Sequence, residues 1–393
     1  MNVSKGEGTF VKANVVKPSR VTVVSAALYG GGAERVVIDL CRHLRDSGRE
    51  VTLLTLTGDD PDAYKAPDGV RRERLEIRRV SRSLFQTIWY SLERAVAVRR
   101  KLVSSKPDVV LSFIDRVNML TLVSLFGTGI PAIVSERIHP GYNPIERVWL
   151  FARHFIYPLA NAVTVQTTEG AEWIRRHMWV KRPVVIPNAV RHLEDLGYRT
   201  DEAADSMARP FVLAIGRLNE QKGFDLLLDA FCRSGLVRAG WRLIVLGEGP
   251  ERPALQQQAT ALGIADVVGF PGFVEVGQWL RRADIFVMSS RYEGFPNALM
   301  EAMQMHRACI SFDCPSGPRD LIENDRDGLL VAPQDVAALS EALQRLAADP
   351  ALRSRLGAEA SKIGERFSAA SVYAKWLDLI DSVASKSSKK LAT

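Results

Sequence analysis

Residues 291–303 read RYEGFPNALMEAM and follow directly on the apolar run ADIFVMSS at 283–290. The run reads as a buried strand. Glu293 stands where it ends, a small loop follows, and a helix begins near Pro296. Glu301 then falls about two turns into that helix. In an open α/β sheet, ligands bind beyond the carboxyl ends of the strands. The loop and the first helical turn offer backbone N–H groups to an anion. Two fixed carboxylate acceptors beside one anion site suit a ligand with both hydroxyls and phosphate, and a nucleotide sugar has both.

Outward from this stretch, short apolar runs alternate with amphipathic stretches. The first half carries VTVVSAAL, VTLLTLT, PDVVLSFI, PAIVSERI, AVTVQT and PVVIPNA. After the polar segment RHLEDLGYRTDEAADSMARP the cycle restarts with PFVLAIGRL, WRLIVLGEG, DVVGFPGF, ADIFVMSS, ACISFD and GLLVAP. Such alternation predicts parallel sheets with helices on both faces. The fold class is α/β, with two Rossmann-like doubly wound domains facing each other across a cleft. The boundaries read as a flexible arm at 1–20, a first domain at 21–190, a linker at 191–209 and a second domain at 210–368. A helix at 369–384 and a disordered tail at 385–393 follow. Val372, Trp376, Leu379, Ile380 and Val383 form an apolar stripe on that helix and must pack on something.

The chain has 393 residues, 47% of them apolar, enough for two cores. No apolar run is long enough to span a membrane, and the N-terminus MNVSKGEGTF lacks the apolar core of a signal peptide. Cys41, Cys232, Cys309 and Cys314 form no CxxC pair, which points to a reducing, cytoplasmic setting without a zinc site. Residues 1–190 hold 28 Lys and Arg against 18 Asp and Glu; residues 191–393 hold 24 against 27. The basic first half suits an anionic partner: nucleic acid, an anionic membrane surface or a diphosphate-linked acceptor.

Two further loops sit at strand ends. Gly30, Gly31 and Gly32 lie between the first strand and a helix from Ala33. They serve either as a tight turn or as a close approach of backbone to phosphate or sugar. The triplet is not GxGxxG, and no acidic residue ends the next strand in dinucleotide-binding style, so NAD is discounted. In GRLNEQKG, Gly216 ends a strand and Arg217 and Lys222 precede a helix, which suits a diphosphate. His139 follows PAIVSERI, where it faces either the cleft or solvent; His306 reads as structural. HExxH is absent, and the run at Asp59, Asp60 and Asp62, which spells DxD across Pro61, reads as solvated, so no metal site is expected. A helix near 84–105 is expected to bury Leu84, Ile88, Leu92, Ala95 and Leu102. Arg94 and Lys101 of that helix, with Arg147 and Arg153 among the aromatics of IERVWLFARHFIYPLA, suit an anionic membrane or acceptor surface. The competing reading places those aromatics in the core.

RYEGFPNALMEAM, GRLNEQKGFDLLLDAF and, more weakly, GGGAERV resemble the retaining GT-B glycosyltransferases of the family-four group over residues 20–384. SFDCPSGPRDLI resembles members that elongate lipid-linked or capsular glycans. The resemblance implies that Glu293 contacts the donor sugar and acts as a catalytic residue, and that Glu301 binds the ribose. It assigns the diphosphate to the backbone of Phe295, Pro296, Asn297 and Ala298 and to Gly216, Arg217 and Lys222. Gly31 and Gly32 lie opposite, and His139 is the nearest candidate for the family's cleft histidine. The C-terminal helix is expected to cross back to the first domain. The implied partners are a nucleotide-sugar donor, a lipid-linked glycan acceptor and the cytoplasmic face of an anionic membrane, without nucleic acid, metal or other cofactor. Two departures stand out. Met305-His306-Arg307 replaces the family's Cys-Gly-Pro turn, and Ala189 replaces the glycine of IPNGV. A UDP-sugar 2-epimerase-like enzyme and a non-catalytic sugar-nucleotide-binding protein remain alternatives.

Overall fold

The computed structural model of the chain describes residues 19–29, 31–56, 64–75, 84–142, 147–191, 204, 206–207 and 209–391. The arm at 1–18, Gly30, the acidic run at 59–62 and most of the 191–209 segment lie outside the described residues.

Every apolar run named above becomes a strand. The first domain holds β1 (Arg20–Ser25), β2 (Glu50–Thr55), β3 (Arg71–Arg74), β4 (Val109–Phe113), β5 (Ala132–Ser135), β6 (Ala162–Val165) and β7 (Pro183–Val185). The second holds β8 (Phe211–Ile215), β9 (Arg242–Leu246), β10 (Val268–Gly272), β11 (Ile285–Met288), β12 (Ala308–Phe312) and β13 (Leu329–Val331). The sheet orders are β3-β2-β1-β4-β5-β6-β7 and β10-β9-β8-β11-β12-β13. β1 pairs in parallel with both β2 and β4, and β8 with both β9 and β11. The winding therefore reverses beside β1 and again beside β8, leaving a crevice at each reversal. This is the two-Rossmann, GT-B architecture read from the sequence.

β3 is the one strand without an apolar run. Its sequence RRER pairs with β2 and closes the sheet edge, where charge protects an exposed edge from further pairing. Residues packed on both faces bury each sheet. The last helix, Ala369–Leu391, inserts Val372, Trp376, Leu379, Ile380 and Val383 into the first domain's core beside β1, β2 and β4. Trp376 lies 5.9 Å from Phe113, and Tyr373 stacks on His43 at 3.6 Å. The helix runs past residue 384 through part of the segment read as a disordered tail. No Gly or Pro there stops it.

Two readings of the first domain's outer face need correction. In the helix Leu84–Ser105, Leu102 is buried as expected, but Val98 is buried too and Leu92 is 56% exposed; the side chains of Leu84 and Ile88 lie outside the described residues. Arg153 is not a surface cation. It is 1% exposed, donates from Nη2 to the Pro140 carbonyl at 2.9 Å, and lies 3.7 Å from Glu136. The helix Arg147–Ile156 is amphipathic, and this arginine falls on its inner face. The outer face carries Val148, Phe151 and Phe155, exposed by 74%, 69% and 54%. Tyr157 is fully buried. The aromatics thus divide between core and surface.

Candidate active site

β8 and β11 are neighbours, so the loops after them share one sheet edge. Gly223 closes the first loop at φ +61°, and a Cβ there would sit 2.1 Å from the Ser289 carbonyl oxygen. That backbone-to-backbone approach, open only to glycine, brings Lys222 to the second loop. Its Nζ lies 2.5 Å from Glu293 Oε1, which also accepts from Ser290 Oγ at 2.6 Å. Glu293 is buried in this cluster. The helix Asn297–Gln304 follows Pro296, and its first-turn N–H groups have no acceptor within the helix. Glu301 on this helix meets Arg35 Nη1 at 2.6 Å and Arg191 at 3.9 Å.

Both domains line a cleft of about 970 Å³, large enough for an extended small ligand. Gly31, Gly32, Gly216, Arg217, Lys222, Glu293, Phe295, Pro296, Asn297, Ala298 and Glu301 all border it. On the first-domain side, the Gly31 N–H donates to the Glu34 carboxylate. Burial raises the Glu34 pKa, against the pull of that N–H and of Arg217. Burial pulls the Arg35 pKa down most strongly of any one effect, but the Glu301 carboxylate, the Tyr64 hydroxyl and Asp39 together hold the guanidinium above its usual range.

His139 does not join the cleft. β5 ends at Ser135, and Glu136, Arg137 and Ile138 take the edge instead. The His139 ring is buried against Tyr142 and Trp173, with centroids at 4.8 and 6.2 Å, and Nδ1 accepts from the Gly141 N–H. Burial lowers its pKa, so the ring is neutral at pH 7. Arg94, Lys101 and Arg153 do not border the cleft either. Arg94 is half-buried, Lys101 pairs with Glu73 at 3.1 Å, and the side chain of Arg147 lies outside the described residues.

Sequence reading missed Asp115 and Glu136, buried carboxyl groups that face the cleft beyond the adjacent strands β4 and β5. The signal was present: Glu136 directly follows a buried strand and Asp115 lies two residues past another, acids in the strand-end loops as Glu293 is. Glu136 accepts from the Tyr157 hydroxyl. Burial raises its pKa against the pull of Arg153 and Tyr157. Between strand and helix sits Ile114 at φ +74°, an outlier for a β-branched residue and a sign of strain at a site edge.

Cations, a helix N-terminus and buried carboxylates converge at a topological reversal, an arrangement that suits an anion and hydroxyls, and the two-domain fold around it is that of GT-B glycosyltransferases. Residues 30–192 match the model of Glycosyltransferase Family 4 and residues 209–349 that of Glycosyl transferases group 1, and the chain belongs to this family. A Campylobacter jejuni relative is 28% identical over 93% of this chain and 99% of its own. It is the GalNAc-alpha-(1->4)-GalNAc-alpha-(1->3)-diNAcBac-PP-undecaprenol alpha-1,4-N-acetyl-D-galactosaminyltransferase. The amylovoran biosynthesis glycosyltransferase AmsD of Erwinia amylovora is 27% identical over 89% of this chain and 96% of its own. Among solved structures, sucrose-phosphate synthase of Thermosynechococcus elongatus superposes with a TM-score of 0.79 at 21% identity, covering 94% of this chain and all of that one. Anabaena HepE with UDP and glucose gives 0.78 at 19%, covering 93% of this chain and all of that one.

Proposed function

We propose that the protein moves a hexose or N-acetylhexosamine from a nucleotide-diphosphate sugar, UDP-linked, to a lipid-diphosphate-linked or polysaccharide-precursor glycan, with retention at the anomeric carbon. One observation carries this reading. Lys222 is held on Glu293 beside Arg217 and the first turn of the helix Asn297–Gln304. That grouping offers positive charge for a diphosphate next to a carboxylate for sugar hydroxyls. The Campylobacter relative, with its PP-undecaprenol-linked acceptor, and HepE, solved with UDP and glucose, support the acceptor and donor classes.

In this reading Glu293 holds the donor sugar and Glu301 takes the ribose hydroxyls. Arg217 and Lys222 stabilise the leaving diphosphate as its charge grows. The acceptor hydroxyl attacks from the face the diphosphate leaves and passes its proton to the departing phosphate oxygen. No resident metal or other cofactor enters the scheme. The first domain receives the acceptor and docks on the cytoplasmic face of the membrane through the outer row Val148, Phe151 and Phe155. No helix among the described residues is long and apolar enough to cross a bilayer.

The test is nucleotide release from UDP-, GDP- and ADP-sugars, with and without lipid-linked acceptor. Acceptor-dependent release from one donor, reduced about 100-fold or more in Glu293→Ala, is expected. A Glu293→Ala protein that transfers normally removes the site from contention.

A further inference from the structure

The following rests on the reading that the 293–298 loop grips the donor diphosphate. That loop belongs to the second domain, yet the first domain holds it. Asn188 follows β7 and is buried. Its Nδ2 lies 3.1 Å from the Phe295 carbonyl oxygen and 2.6 Å from Asn297 Oδ1. The other end of Asn297, Nδ2, reaches the Gly32 carbonyl at 3.4 Å. The Asn297 side chain is therefore spent on first-domain groups, which leaves the backbone of the loop to meet a ligand.

What orients Asn188 is Arg137. Its Nη2 donates to Asn188 Oδ1, and it is buried at the end of β5 with no carboxylate among the groups that set its charge. A guanidinium can only donate, so the amide oxygen must face Arg137 and the NH₂ must face the loop. A buried cation without a counter-charge is costly. The hydrogen bonds it donates are its visible contribution.

We propose that Asn188, oriented by Arg137, is a positioning residue for the donor. It fixes the Phe295 peptide and the start of the helix Asn297–Gln304 so that the loop N–H groups converge on the diphosphate when the first domain is docked. The grip on phosphate then depends on both domains, although the phosphate-binding loop belongs to one.

Asn188→Asp separates this role from a structural one. The carboxylate keeps the shape and still accepts from Arg137, now as an ion pair, but it cannot donate to Phe295 or Asn297. UDP binding is measured by calorimetry, uridine binding by ligand-detected NMR, and stability by thermal melting. The variant is expected to melt at or above the parent's temperature and to bind UDP about tenfold more weakly, as for two lost hydrogen bonds. Uridine, which lacks the diphosphate, should bind unchanged. UDP affinity equal to the parent's overturns the proposal and leaves the nucleotide reading standing. Equal losses for UDP and uridine also overturn it, as a general collapse of the site. A parent protein that binds none of UDP, GDP or ADP overturns the nucleotide reading, and this proposal with it.

Discussion

His306 sits at φ +58°, just past the end of the helix Asn297–Gln304, with its side chain exposed. The resemblance drawn from the sequence sets a Cys-Gly-Pro turn against Met305-His306-Arg307, and the backbone angle suits its glycine: left-handed geometry costs a side chain roughly 1–2 kcal/mol. His306→Gly relieves that strain, partly offset by glycine's freedom in the unfolded chain. A rise of about 1–3 °C in the melting temperature is expected, and a fall would show that the imidazole makes a contact of its own. Gly294 makes the opposite case. A Cβ there would lie 2.1 Å from the Arg137 carbonyl oxygen and 2.5 Å from Gln166 Oε1, both in the other domain. Gly294→Ala should therefore fold, melt within about 2 °C of the parent and lose transfer, because the domains cannot dock. A variant with normal turnover would show that the contact yields. At this scale the sequence was legible in position: Glu293, Glu301, Arg217 and Lys222, singled out near strand ends, all border the cleft. It failed at His139, four residues beyond the end of β5, where the loop turns the ring away from the cleft and packs it against Tyr142 and Trp173. It failed again at Arg35 and Asn188, whose contacts come from across the cleft and leave no trace in local spacing.

The helices show a different limit. Periodicity gives the angular spread of apolar positions but not which face is inside when both faces carry them. The helix Leu84–Ser105 buries Val98 and Leu102 and exposes Leu92. The helix Arg147–Ile156 buries its arginine, which finds Glu136 and the Pro140 carbonyl, and turns Val148, Phe151 and Phe155 outward. β3 was illegible for the complementary reason, since an edge strand of four charged residues has no buried face to advertise. The outward row is a bilayer-facing candidate, because aromatic and aliphatic side chains partition into the headgroup boundary. Phe151→Glu with Phe155→Glu should abolish co-sedimentation with anionic phosphatidylglycerol liposomes while leaving UDP binding intact. Unchanged sedimentation, or none in the parent, would remove the membrane from the proposed function.

The whole molecule is held closed by polar contacts across the cleft. Arg35 bonds Glu301 at 2.6 Å, and Thr167 Oγ1 meets Ser316 Oγ at 3.1 Å. Ser316 in turn donates to the Gly294 carbonyl. The last helix ties the end of the chain into the first domain's core, so the domains are joined at two chain crossings. Of these features, the alternating runs announced the two-domain fold, whereas the closed arrangement depends on pairs more than a hundred residues apart. The Arg35–Glu301 pair is the informative one to break, because its carboxylate is buried and its other cation, Arg191, stands farther off at 3.9 Å. A buried carboxylate that loses its nearer partner is stabilised by water, and the route to water is cleft opening. Arg35→Gln should thus raise the ligand-free radius of gyration measured by small-angle X-ray scattering. Saturating UDP should bring it back toward the parent's value, since in the proposed mode the nucleotide lies between Glu301 and the Gly31–Gly32 turn opposite. Superimposable curves for parent and variant, with and without UDP, would mean that the ion pair does not set the closed state and that the uncharged contacts at Ser316 and Asn188 suffice to hold it.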